Sequence, residues 1–252
     1  MIRVSKISVA PVKALRLTHP EQVELGPRGV AANRRFVLLD EQDRHVNGIT
    51  FGPLVAIVPE YDAGRESLVL HFPDGRAIGG EVELGDVFEA KISKRPIPVR
   101  EVLGEHSRAI SELGGAPLRL VRAEEPGDAV DRKRHPVSLI STASLAELRP
   151  GLDGRRFRML FEVDGAEPWE EERWLGRNVR IGDAVVALEV HVGRCAITTQ
   201  DPDRGVRDFD TLRRLNELRG KNAASGELDF GVCGGVVEPG RVRVGDAVEP
   251  VQ

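Results

Sequence analysis

The stretch VRIGDAVVALEVHVG, residues 179–193, decides the fold class. Apolar residues alternate with polar ones up to Ile181, Gly-Asp follows, and apolar residues return in a run that ends in clean alternation. That is the pattern of two half-buried antiparallel strands joined by a tight turn. The same device occurs in VELGDVFE (82–89) and VRVGDAVE (242–249), and each copy predicts a hairpin. Their irregular spacing argues for a recurrent local device and against a solenoid.

Working outward, short β-rich runs bounded by Gly, Pro and Asp fill most of the chain: IRVSKISVAPV, RRFVLLD, GPLVAIVPEY, SLVLHF, PLRLVRA and GVVEPGRVRV. Many alternate with period 2, as strands with one wet face do. Helical signals are few. They cover residues 105–115, with Gly114 as a stop, residues 141–150, opened by Ser and Thr, and residues 208–220, with Asp210 as N-cap and Gly220 at the end. In the last of these, Leu212, Leu215 and Leu218 form a stripe read as core packing. The predicted fold is mainly β, barrel-like, with a few short helices. The turn-rich ELGGAP stretch predicts a boundary that separates a smaller N-terminal β unit (1–114) from a second domain (115–252).

Composition narrows the function classes. The chain has 252 residues and a net charge of −4, which argues against broad nucleic-acid binding. Its basic residues are 30 arginines against 6 lysines, and guanidinium forks suit small phosphate or carboxylate ligands. No apolar run approaches the roughly 20 residues that span a bilayer, so no membrane insertion is expected. Two cysteines make no disulfide framework, and Lys6 and Lys13 interrupt the N-terminal apolar residues. A reducing, cytoplasmic setting is expected.

The strand of the opening stretch runs on into VGRCAITTQDP, residues 192–202, where Cys195 reads as lying within or at the end of the strand. On the residues alone, Cys195 is as well explained by a buried small apolar side chain as by a working thiol. Arg194 beside it favours a thiolate, although strand neighbours point to opposite faces. The six histidines form no zinc-binding pattern, even with His191 four residues before Cys195. GVCGG (231–235) lacks the Lys-Ser/Thr of a phosphate loop and is read as a close approach of two backbones.

GRCAITTQDPDRGVRD, the helix DTLRRL and FGVCGGVVEPGRVRVGDAVEP together resemble the C-terminal signature of MOSC domains, shared with molybdenum cofactor sulfurases and amidoxime-reducing components. ISVAPVKAL and VELGPRGVAANRRFVLLDEQDR resemble the β-barrel domain that precedes MOSC domains, and PVSLISTASLAEL and RWLGRNVRIGD extend the likeness over nearly the whole chain. The resemblance implies that Cys195 is the thiolate ligand of a pyranopterin-bound molybdenum and the catalytic residue. It also implies that Lys13, Arg34, Ser141, Thr142 and Arg158 contact this molybdenum cofactor. The chain departs from the family pattern at Ala14, Met159 and Leu160, where relatives carry Ser, Pro and Asn. Cys233 has no counterpart there and is read as a packing thiol.

The implied activity is reduction of N-hydroxylated or N-oxide small molecules. The chain has neither four cysteines for an iron-sulfur cluster nor a dinucleotide fingerprint, so the electrons are expected from a separate donor protein. The alternative is a non-catalytic carrier of the molybdenum cofactor, or of sulfur as a persulfide on Cys195.

Overall fold

The computed structural model describes residues 1–92, 95–124 and 134–251. In chain order, β1 (Arg3–Ile7), β2 (Gln22–Leu25), β3 (Phe36–Leu39), β4 (Val58–Asp62), β5 (Ser67–His71), β6 (Ala77–Glu81), β7 (Leu84–Ile92) and β8 (Arg95–Val102) lead to the helix α1 (His106–Gly114). Then come β9 (Arg119–Ala123), β10 (Val137–Ser141), α2 (Thr142–Leu148), β11 (Phe161–Asp164), β12 (Arg177–Ile181) and β13 (Ala184–Gly193). The chain closes with α3 (Thr211–Arg219), β14 (Asp229–Glu238), β15 (Gly240–Arg243) and β16 (Val248–Pro250).

Seven strands form one sheet in the order β1-β11-β10-β14-β13-β12-β16. A bridge between Arg3 and Ala247 draws its two edges together, so the sheet is a nearly closed barrel. The other sheets are β3-β9-β8-β7, β4-β5-β6 and the ribbon β2-β15. The mainly-β expectation holds, with three α-helices among the described residues. Strand pairing crosses the division expected after residue 114 in both directions. β1 and β2 pair with β11 and β15, while β9 joins the sheet of β3 and β8. The turn-rich ELGGAP stretch holds the end of α1, which stops at Gly115 with φ +69°.

The three Gly-Asp segments take three different forms. The one at 182–183 is the predicted hairpin: Ile181 pairs with Ala184, and Gly182 holds φ +58° where a side chain would run into the Asp246 carboxylate. Gly85 and Asp86 instead lie inside β7, where the register against β8 slips between Leu84 and Val87, a bulge. Gly245 and Asp246 turn the chain from β15, which pairs with β2, to β16, which pairs with β12. The alternation specifies strands there but not their partners, because pairing depends on residues distant in sequence.

The helices fall where their caps place them. The Asp210 carboxylate accepts from the Arg213 N–H at 3.0 Å, and Gly220 with φ +70° ends α3. Of the leucine stripe only Leu215 is buried; Leu218 is exposed. Leu215 joins Phe157, Phe230, Leu145, Val192 and Cys233 in an apolar cluster beneath α2 and α3. GVCGG is the predicted close approach: a Cβ on Gly234 would lie 1.7 Å from the Ala187 carbonyl oxygen.

Candidate active site

β13 ends at Gly193, two residues before Cys195, so the cysteine is not within the strand. It stands at the start of a one-turn 3-10 helix, Ala196–Thr199, with an extended backbone and an exposed position. The Asp-Pro break and the paired threonines turn the chain as soon as it leaves the barrel. The Thr198 hydroxyl donates to the Cys195 carbonyl at 3.1 Å, and that of Thr199 to the Ala196 carbonyl at 2.7 Å. Both threonines are committed to shaping the turn.

Cys195 lines a cavity of about 370 Å³. Lys13, Arg34, Arg158 and Arg194 line it too, with His45, and among the described residues no Asp or Glu does. Four cations gathered in a concavity focus a positive potential on whatever enters. Lys13 and Arg34 come from the loops flanking β2, Arg158 from the end of the short helix Gly154–Phe157, and Arg194 from the exit of β13.

Two of these arginines lock the halves of the chain together. Arg34 donates to the Arg158 carbonyl at 3.3 Å, and Arg158 donates to the Leu15 carbonyl at 2.8 Å. Ala14, Arg34 and Arg158 have φ of +79°, +55° and +53°. Left-handed backbone at three non-glycine residues around one cavity is strain that the surrounding structure must hold, a feature that clusters at functional sites. Arg194 binds the floor: Nε donates to the Phe230 carbonyl at 2.7 Å and Nη1 to the Phe157 carbonyl at 3.0 Å.

Ser141 and Thr142 do not join this group. Ser141 is fully buried and caps α2, accepting from the Ser144 N–H at 3.1 Å while donating to the Glu171 carboxylate at 2.8 Å. Burial pushes the Glu171 carboxyl upward, and its hydrogen bonds from Ser141 and Ser144 only partly offset that. Thr142 donates to Asp164 on the outside. Of this hydroxyl pair at a helix start, Ser141 serves the helix and Thr142 serves the Asp164 carboxylate.

Residues that belong to no motif hold the site's shape. Arg156, 3% exposed, donates to the carbonyls of Thr198 and Gln200, both at 3.2 Å. Arg155 bridges Asp153 and Asp203, each through 2.7 Å hydrogen bonds. Half-burial opposes ionisation of Asp153, but the Arg155 hydrogen bonds prevail and hold its carboxyl below the usual range. The run GRRFR carried the signal: five consecutive residues with three guanidiniums on a one-turn helix cannot all face solvent. The departures from the family pattern are packed. Leu160 is in the barrel core, and the Met159 sulfur accepts from Arg194 at 2.9 Å.

Fold and cavity together define a barrel protein with an exposed thiol on the rim of a cationic pocket. Residues 112–249 match the MOSC domain family, and the chain belongs to it. It is 35% identical to the mitochondrial amidoxime reducing component 2 of Rattus norvegicus over 97% of this chain and 82% of that protein. It is 24% identical to component 1 of Xenopus laevis over 97% of this chain and 81% of that protein. The match to component 1 of Mus musculus, 33% identical, spans only 36% of that protein. The crystal structure of the YUAD protein from Bacillus subtilis aligns over 100% of this chain and 98% of that one, with 11% identity and a TM-score of 0.45. No helix among the described residues is long and apolar enough to cross a membrane.

Proposed function

We propose that this chain holds a molybdenum cofactor through Cys195 and reduces N-hydroxylated or N-oxide small molecules. The observation that carries the reading is the exposed Cys195 thiol on a cavity lined by four cations and, among the described residues, no carboxylate. The donor set fits: a thiolate is a strongly charge-donating metal ligand, and the cations suit an anionic pterin phosphate. At about 370 Å³ the space is of the size that takes a cofactor-sized ligand. The names of the relatives supply the substrate type.

In this reading Lys13, Arg34 and Arg158 hold the anionic end of the group, and Cys195 is its thiolate ligand. The bound group supplies the two-electron step that breaks an N–O bond, with uptake of two protons and loss of water. The chain fixes the ligand rigidly on the Ala196–Thr199 turn and keeps competing carboxylates away. Electrons reach it from a separate donor protein, and a reducing cytoplasmic compartment keeps the exposed thiol available.

Protein made in a host that synthesises the cofactor should contain molybdenum and pterin near one per chain. It should reduce benzamidoxime with reduced viologen but not with NADH or NADPH alone. Cys195→Ser should lose metal and turnover and keep the fold; a serine variant that retains both overturns the ligand assignment. The exposure of Cys195 also suits hand-over to another protein. That carrier reading prevails if viologen supports no turnover while cofactor or sulfur passes to an apo-acceptor.

A further inference from the structure

Breaking an N–O bond consumes protons as well as electrons, and most of the groups gathered around Cys195 are poor sources of them. Lysine and arginine, as residue types, keep their protons far above neutral pH, and the Asn47 and Thr198 side chains have none to give up in that range. His45 lines the same cavity. Among the described residues there, its imidazole is the one side chain of a type that ordinarily changes charge between about pH 5 and 8.

The chain mounts this ring firmly. Asp40 closes the turn after β3, its carboxylate accepting from the N–H groups of Gln42 and Arg44 at 2.9 and 3.0 Å and from Arg44 Nε at 2.9 Å. His45 then bridges back to Leu39, and the Val46 N–H donates to the Leu38 carbonyl at 2.8 Å. Val46 is buried in the core, so the alternation of an extended chain sends the His45 ring the other way, toward the cavity. The residue is half-buried, and so meets both the cavity and solvent.

The charges around the ring come from several elements. Lys13, Arg34, Arg158 and Arg194 share its cavity; on its own turn stand Arg44, held by Asp40, and Asp43, held by Arg119; and the backbone of Lys91 in β7 bridges that of Arg44. The cations oppose a charged imidazole, and an anionic group held by Lys13, Arg34 and Arg158 offsets them.

We infer that His45 is the proton donor of the reduction, taking protons from solvent and passing them to the oxygen that leaves as water. This inference rests on the reading of the Cys195 cavity as the place where the N–O bond is reduced. In an N-hydroxylated compound the oxygen already carries one hydrogen; as the N–O bond breaks with two electrons from the donor, it takes the imidazolium proton and departs. The nitrogen takes the second proton from water, and solvent recharges the ring.

The test compares the parent, His45→Gln and His45→Ala, each loaded with the cofactor, on benzamidoxime with reduced methyl viologen, an electron donor that carries no proton. In the parent kcat should fall as pH rises from about 6 to 8, because the acid form of the ring is the working one. In His45→Gln kcat at about pH 6 should drop about 100-fold and lose that dependence, with KM and molybdenum per chain unchanged. Added imidazole should restore turnover to His45→Ala. Independently of turnover, NMR of ring-labelled histidines, with the His45 signals identified by their absence from His45→Gln, should show this ring changing charge between about pH 5 and 8 in the loaded parent. Equal kcat and equal pH profiles in the parent and His45→Gln overturn the donor role and leave the reduction standing, and so does a ring that keeps one charge across that range. Absence of turnover in the parent overturns the reduction, and the donor role with it.

Discussion

Arg156 and Asp208 meet through two parallel hydrogen bonds, Nη1 to Oδ1 at 3.0 Å and Nη2 to Oδ2 at 3.1 Å. With the carbonyls of Thr198 and Gln200 on the same guanidinium, this pair gathers the loop leaving Cys195 around one buried cation.

Removing that cation should therefore loosen the loop first. Arg156→Met leaves two carbonyls without their donor, but the Asp208 charge can reach water, since a quarter of its side chain is exposed. The loss should fall at the lower end of the range for broken buried pairs, about 3 kcal/mol. Urea denaturation should show a lower midpoint at unchanged slope, and amide exchange at residues 198–200 should accelerate.

Ser141→Ala and Lys13→Ala should separate stability from ligand retention. The first removes a helix cap and a bond to buried Glu171, and should cost about 1–2 kcal/mol of stability with unchanged molybdenum per chain. The second should weaken retention of the group by about 1–3 kcal/mol, seen as metal loss on dilution. The opposite pattern would put the ligand at the start of α2.

The two cysteines should differ in reactivity. Cys195 is exposed and Cys233 buried in the cluster with Phe157 and Phe230. Iodoacetamide should label one thiol in the native protein and a second only in urea, with Cys195 identified as the first by peptide mass. Cys233→Ser should lower stability by about 1–2 kcal/mol, because it places a hydroxyl among apolar neighbours.

Glu162 gives the stability a pH signature. Burial pushes its carboxyl upward, and Lys6 at 3.5 Å only partly offsets this. The native state therefore binds the Glu162 proton more tightly than the unfolded chain does. The contribution is fully present below the ordinary glutamate range and is lost as pH rises through the elevated native value. Glu162→Gln should melt higher than the parent at pH 7–8, with the difference shrinking toward about pH 4. Equal melting curves across that range would show that Lys6 compensates the burial completely.

Local signals carried the strands, the helix caps and the Gly182 turn, since each depends on residues within a few positions. Partners were illegible: nothing in VRVGDAVE states that β15 pairs with residues 22–25. The same limit governs the site. Cys195, Lys13, Arg34 and Arg158 carry a family pattern and do meet at one cavity. Ser141 and Thr142 carry it equally and do not, because Glu171, thirty residues away, takes the Ser141 hydroxyl. GRRFR signals buried guanidiniums but not their partners, because apart from Asp153 the carboxylates and carbonyls that Arg155 and Arg156 bind lie about fifty residues downstream.

The pairing of β2 with β15 sets an order on biosynthesis. Residues 22–25 emerge from the ribosome early and wait for residues 240–243. At about 5–20 residues per second that wait is roughly 10–45 s. During it β2 is open to wrong partners, whereas β1 waits only for residues 161–164. Lys13 and Arg34 are likewise made long before Cys195. The cavity cannot close on anything until residues 193–198 have been made, so its occupant must be inserted after that point.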